Sequence, residues 1–97
     1  MLIRRLPPVD IEALEAVRYY KAIDPKLGIR LVDEFDAALA RINLFPYGWK
    51  PISPKLRQCS LKVFPYVVIY AVTGDEIIIV ALANTHRKPG YWKNRLV

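Results

Sequence analysis

The chain has 97 residues with a formal net charge of +6, 54% hydrophobic and 25% charged side chains, and a single cysteine. That length supports one domain, spanning residues 1–97, with a real core. The composition excludes a disordered or low-complexity chain, a disulfide scaffold and a multi-cysteine zinc site. No apolar run is long enough for a membrane span and no signal-peptide pattern opens the chain, so a soluble cytoplasmic protein without membrane contact is expected.

The charge is unevenly placed. Residues 1–49 carry seven basic and seven acidic side chains, whereas residues 50–97 carry eight basic against Asp75 and Glu76 alone. The whole surplus lies in the second half, a distribution that attracts polyanions or an acidic protein partner.

In chain order, Leu2 to Leu6 reads as a short strand closed by Pro7-Pro8. A helix is predicted from about Val9 to Ile23. Pro8 lies at or just outside its first turn, Asp10 and Glu12 favour the positive end of the dipole, and Ala13, Val17 and Tyr20 form an inward face flanked by Ile11 and Leu14. Asp24-Pro25 ends this helix and starts the next, Asp24 as cap and Pro25 at the first helical position. Leu27, Leu31, Phe35, Ala38 and Ile42 recur at helical spacing, so the two helices read as a hairpin. Phe45 to Pro54 holds three prolines and a glycine and reads as a loop. Beyond it the period shortens. Leu56–Val63, Tyr66–Val72 and Glu76–Ala83 read as three consecutive antiparallel strands, with Phe64-Pro65 and Thr73-Gly74-Asp75 as turns. Gly90 to Leu96 is expected to make one or two helical turns. The result is an α+β fold of order β-α-α-β-β-β, with a helical hairpin on one face of an antiparallel-rich sheet and a short C-terminal helical tail.

Most catalytic chemistries find no residues here. His86 and Cys59 are single and no ligand cluster or phosphate-binding glycine loop is present, so neither a metal nor a cofactor is expected. Cys59 reads as a buried core residue, and Asp33, Glu34 and Asp36 as the solvated face of the second helix. The stretch from Asn84 to Arg95 stands apart, because it follows an apolar strand and mixes one histidine, four cations and two adjacent aromatics. Three uses are open for it. His86, Arg87 and Tyr91 suit proton transfer and phosphate-charge stabilisation in metal-free RNA cleavage. Tyr91 and Trp92 with Arg87, Lys93 and Arg95 suit a protein-binding anchor. The plainest use is an aromatic lid on the sheet with solubilising lysines.

The segment from Arg57 through Val63-Phe64-Pro65-Tyr66-Val67-Val68-Ile69-Tyr70, then Ile77–Leu82, then His86-Arg87-Lys88-Pro89-Gly90-Tyr91-Trp92 resembles the ParE/RelE toxin superfamily of bacterial toxin–antitoxin (plasmid stabilisation) modules. Tyr19-Tyr20…Asp24-Pro25 and Ile42…Phe45-Pro46 fit the same pattern, and the resemblance covers essentially the whole chain. It implies the same β-α-α-β-β-β fold and an antitoxin partner. RelE-like members cleave mRNA on the ribosome with strand cations plus a C-terminal Arg and Tyr, whereas ParE-like members poison DNA gyrase without catalysis of their own. Here Arg87 matches the C-terminal arginine and Arg57 a strand arginine common in ParE-like chains, but Gln58, Ser60 and Val67 stand where RelE-like toxins place cations. The resemblance therefore points to a ParE-like gyrase inhibitor with Arg57, His86, Arg87, Tyr91, Trp92, Lys93 and Arg95 as target contacts. The alternatives are a RelE-like ribosome-dependent ribonuclease using His86, Arg87 and Tyr91, and a non-toxic binding module of the same fold.

Overall fold

Among the described residues, five strands and two helices follow in the order β1 (Leu2–Arg5), α1 (Pro7–Ile23), α2 (Pro25–Leu44), β2 (Lys50–Pro51), β3 (Arg57–Ser60), β4 (Tyr66–Thr73) and β5 (Glu76–Asn84). The computed structural model describes residues 1–96. The strands form one mixed sheet of order β1-β5-β4-β3-β2, in which β1 runs parallel to β5 and the other neighbours are antiparallel. The long apolar strands β4 and β5 occupy the centre, where both faces are covered, and their continuous hydrophobic sequence requires that cover.

Helix α1 begins two residues earlier than its apolar pattern suggested. Pro7 and Pro8 occupy the first two helical positions, where their missing N–H groups cost no intrahelical bond. Asp24 closes α1 through its backbone N–H to the Tyr20 carbonyl and caps α2 by accepting from the Lys26 N–H at 2.9 Å. One residue therefore makes the hairpin. Gly28 sits where the helices cross, and a Cβ there would stand 3.1 Å from Lys21 Cβ and 3.4 Å from the Val17 carbonyl oxygen. Leu31, Phe35, Ala38 and Ile42 of α2 are buried against Cys59, Val68, Tyr70, Ile77 and Ile79 of the sheet.

Four local readings change. Ile11 and Leu14 lie outside the buried face of α1, whose innermost residues are Val9 and Ala16. Within the loop after α2, Lys50–Pro51 pairs with Arg57–Gln58 as an edge strand, which proline tolerates because its N–H is not needed there. The strand expected over Leu56–Val63 is only Arg57–Ser60, since the Lys62 and Val63 N–H groups turn away to donate to Glu34 Oε1, each at 3.0 Å. Glu34 is accordingly not part of a solvated face: it ties α2 to the β3–β4 connection and also meets Arg30 at 3.4 Å. At the β4–β5 turn Gly74 has φ +59, the left-handed value a tight two-residue hairpin demands.

The second face of the sheet is also covered. Val67, Ile69, Ile78, Val80, Ala81 and Ala83 form an apolar cluster under Ile52, Leu56, Tyr91, Trp92 and Leu96. The C-terminal segment is thus a strap across the face opposite the helices. Where one or two helical turns are expected, it is a run of turns closed by Lys93 N–H to Gly90 carbonyl and Arg95 N–H to Trp92 carbonyl bonds. Gly90 opens it with φ +90.

Candidate functional site: the strap and its two flanks

The strap's position follows from a bulge in β5. Ile69 pairs with Ala81 and Tyr70 with Ile79, so Val80 has no partner on β4. Alternation is shifted by one residue there, and Val80 and Ala81 both face the strap while Ile79 and Leu82 face the helices. On its other side β5 loses β1 at Arg5, where the chain turns into α1, and the Leu6 N–H makes a last bond to the Ile79 carbonyl. The polar groups of β5 beyond that point need other partners. The Val80 carbonyl accepts from Arg95 Nη1 at 2.9 Å, and the Leu82 N–H donates to Glu12 Oε1 at 3.1 Å. The two side chains also bond each other twice, Nη1 to Oε1 at 3.0 Å and Nη2 to Oε2 at 2.9 Å. Side-chain exposure of only 20% for Arg95 and 11% for Glu12 marks this as a partly buried, bidentate latch. It joins α1, the open edge of β5 and the strap.

Tyr91 stands between two guanidinium groups, Arg87 at 4.3 Å and Arg95 at 5.3 Å from its ring centre, and its ring meets Trp92 edge-on at 5.0 Å. Burial, and then the Glu12 carboxylate, push the Tyr91 phenol above its ordinary range, with Arg87 and Arg95 pulling the other way. The phenol is therefore a neutral donor at neutral pH. Upstream, the turn after β5 is pinned: the Thr85 N–H and hydroxyl both bond the Pro65 carbonyl, the His86 N–H donates to Asn84 Oδ1 at 2.8 Å, and the Arg87 N–H donates to the Asn84 carbonyl. His86 and Arg87 are exposed at its tip.

The candidate residues consequently separate into groups. His86, Arg87 and Tyr91 line one cleft of about 400 Å³, together with Glu12, Glu15 and Tyr19 of α1. Trp92 and Lys93 lie on the other flank of the strap, in a groove of about 660 Å³ against Ile52–Leu56. Arg95 is committed to the latch. Arg57 lines neither the cleft nor the groove: its Nη1 donates to the Tyr47 and Trp49 carbonyls, both at 2.9 Å, and its guanidinium lies 5.6 Å from the Tyr47 ring, holding the loop between α2 and β2. Tyr70 supports that same loop from below by donating to the Pro46 carbonyl. Arg41 completes the support, donating to the Ser60 carbonyl at 2.9 Å while its own carbonyl accepts from Trp49 Nε1. Cys59 is buried beside it, as its setting in the sequence implied.

The residue most important to the strap that the sequence did not single out is Glu12. In the linear chain it is one of two acidic residues in the first turns of a helix, a role that needs no distant partner, and nothing local ties it to a residue 83 positions away.

Comparison with known proteins agrees with this architecture. Residues 11–89 match the family model described as the ParE toxin of the type II toxin–antitoxin system parDE. The proteins named Toxin ParE2 in Mycobacterium tuberculosis strains CDC 1551 / Oshkosh and ATCC 25618 / H37Rv are each 32% identical over 82 residues, covering 84% of this chain and 78% of theirs. A solved structure titled "Chromosomal ParDE TA system from P. aeruginosa" superposes with a TM-score of 0.78 at 16% identity, over 89% of this chain and 97% of that one, which establishes the shared fold. The strap's pinned turn, with His86 and Arg87, falls inside the matched family segment, and Tyr91 to Arg95 fall beyond it. Two helices laid on a mixed five-stranded sheet, matched over this span and at this identity, place the chain in the ParE toxin family of type II toxin–antitoxin systems, whose members are partnered by an antitoxin.

Proposed function

We propose that this toxin acts by poisoning DNA gyrase, not by cutting mRNA on the ribosome. The observation that carries the reading is the charge around the candidate catalytic groups. His86, Arg87 and Tyr91 share their cleft with Glu12, whose charge is balanced by Arg95, and with the carboxylate of Glu15, which opposes the approach of a phosphate. The sheet offers no compensating cations at the positions that bear them in the ribonuclease branch. Gln58 and Ser60 are neutral, and Val67 is packed into the apolar cluster. Stabilising charge on a scissile phosphate needs preorganised donors, and here Arg87 would have to supply them nearly alone.

In the gyrase reading, the exposed side chains of His86 and Arg87 make the contact on one flank of the strap, and Lys93 with the half-buried Trp92 on the other. Tyr91 and Arg95 hold these groups in place, and Arg57 acts by fixing the loop that carries Tyr47 and Trp49. Among the described residues no helix is long and apolar enough to cross a membrane, and a gyrase target places the protein in the cytoplasm. The antitoxin neutralises it by occupying the toxin.

The direct test mixes the purified chain with gyrase and plasmid DNA. The expected result is loss of supercoiling with accumulation of protein-linked broken DNA, reversed by antitoxin. Normal supercoiling at a molar excess of toxin, accompanied by cleavage of ribosome-bound mRNA, would instead establish the ribonuclease alternative. Normal growth on expression without antitoxin would leave a binding module of the same fold.

A further inference from the structure

The strap's two flanks differ in charge, and the difference indicates where the antitoxin docks. The α1-side cleft contains Glu12 and Glu15. The exposed side of the helical hairpin mixes both signs, with Glu15, Asp33 and Asp36 set among Arg18, Lys21 and Arg30. The groove on the other flank has an apolar floor and, among the described residues, only Lys55 and Lys93 as charged lining groups. Both are exposed, and neither is in an ion pair among the described residues. A second cavity of about 550 Å³ abuts the same Ser53–Leu56 segment, adds Arg4 and Arg57, and likewise has no acidic lining residue among those described. An open groove that is apolar below and of one charge sign at its rim is complementary to an anionic partner with an apolar anchor, and to little else on a soluble protein.

We infer that the groove between Leu56 and the strap, floored by Val80, Trp92 and Leu96 and flanked by Lys55 and Lys93, is a docking site for an acidic segment of the antitoxin. In that segment one large apolar side chain enters the groove while neighbouring carboxylates meet the two ammonium groups. The inference rests on the antitoxin partnership of the family and is independent of the gyrase reading. A groove of about 660 Å³ accommodates one or two large side chains, which suits a local anchor within a longer interface. Reading the site as a surface for protein and not for nucleic acid follows from the floor: a phosphate backbone has no use for Leu56, Trp92 and Leu96 side by side, whereas a leucine or phenylalanine does.

The test uses the full-length toxin and fluorescein-labelled peptides of about 15 residues tiling the antitoxin encoded beside it, with affinity read by anisotropy. One acidic peptide is expected to bind, and Lys55→Glu/Lys93→Glu in the toxin should weaken it about tenfold or more. Arg18→Glu/Lys21→Glu on the hairpin should change it by less than about twofold, as expected of remote rim charges. Serine in place of the peptide's apolar anchor should abolish binding. The inference is overturned if the folded double variant binds like the parent, if the serine peptide binds undiminished, or if duplex DNA displaces the peptide at equal concentration, which would mark a polyanion surface. Should the double variant fail to fold, carbodiimide coupling of the unmodified toxin–antitoxin complex decides. Amide links from Lys55 or Lys93 to antitoxin carboxylates support the site, and links confined to the hairpin lysines refute it.

Discussion

Removing the latch between Glu12 and Arg95 should destabilise the protein more than any exposed ion pair would, and unequally from its two ends. Glu12 carries four duties at once: two bonds to Arg95, one from the Leu82 N–H, and, among the described residues, the only full negative charge paired with a guanidinium that is 20% exposed. Glu12→Ala leaves the Leu82 N–H without its acceptor and Arg95 without its counter-charge. Orphaning a donor costs about 1–3 kcal/mol, and breaking a fully buried pair about 3–5 kcal/mol. Residual exposure discounts the second figure, so a loss of about 2–3 kcal/mol is expected for the variant as a whole. For a domain of this size that lowers Tm by about 10–20 °C. Arg95→Ala should cost less, because an unpartnered carbonyl such as that of Val80 is better tolerated than an unpartnered N–H, and Glu12 keeps its bond from Leu82. Glu12→Gln retains an acceptor and should fall between. Urea unfolding followed by circular dichroism, on both single variants and the double, gives the coupling energy directly. A coupling below about 0.5 kcal/mol, the value of an ordinary surface pair, would refute the idea that the strap is locked at this point.

Other perturbations probe separate parts of the account. Arg87→Ala removes an exposed guanidinium stacked on Tyr91, so it should cost no more than about 1 kcal/mol of stability; if it nonetheless lowers toxicity in growth assays more than tenfold, Arg87 acts on the target, and full toxicity would exclude it from the contact. Arg57→Ala removes the Nη1 donor to the Tyr47 and Trp49 carbonyls and the guanidinium beside the Tyr47 ring, and should cost about 1–2 kcal/mol in urea unfolding; an unchanged midpoint would deny it the positioning role. Tyr70 is fully buried, and its phenol is pushed up to about 12 by burial. A raised phenol stays protonated in the folded state while the unfolded chain ionises, so this contribution is intact below pH 10 and is lost as pH climbs from about 10 to 12. Tyr70→Phe should flatten the stability profile in that window, and an equally steep profile would assign the loss to other groups. Gly74→Ala should cost about 1–2 kcal/mol, and Gly74→Val at least as much, because any residue with a Cβ is strained at φ +59 even though nothing lies within 4 Å of the added Cβ; a neutral Gly74→Ala would contradict the backbone argument.

Periodicity carried most of the fold because its signals are local. The spacing of Leu31, Phe35, Ala38 and Ile42 marks the buried stripe of α2, the Asp24-Pro25 pair marks the hairpin, and the unbroken apolar runs of β4 and β5 mark a sheet centre covered on both sides. What covers the second face was only partly legible. Tyr91 and Trp92 read as a possible lid, but the bulge at Val80, which turns two consecutive side chains toward that lid, has no sequence mark. Long-range polar contacts were the least visible. Glu12 with Arg95, Glu34 with the Lys62 and Val63 amides, and Arg57 with the Tyr47 and Trp49 carbonyls each join segments whose proximity exists only after folding. For the same reason the candidate contacts, contiguous in sequence from His86 to Arg95, divide in space. A cluster of cations in the chain says where charge is available, and only the fold says which charges are already spent.

A toxin that poisons gyrase, as proposed, stops replication before protein synthesis. Pulse-labelling of bacteria in the minutes after induction without antitoxin, comparing thymidine with methionine incorporation, tests it most directly. The account predicts that thymidine incorporation falls first while methionine incorporation continues. An immediate fall in methionine incorporation with DNA synthesis sustained would contradict it, and would mean that the cleft of His86, Arg87 and Tyr91 cuts RNA despite Glu15.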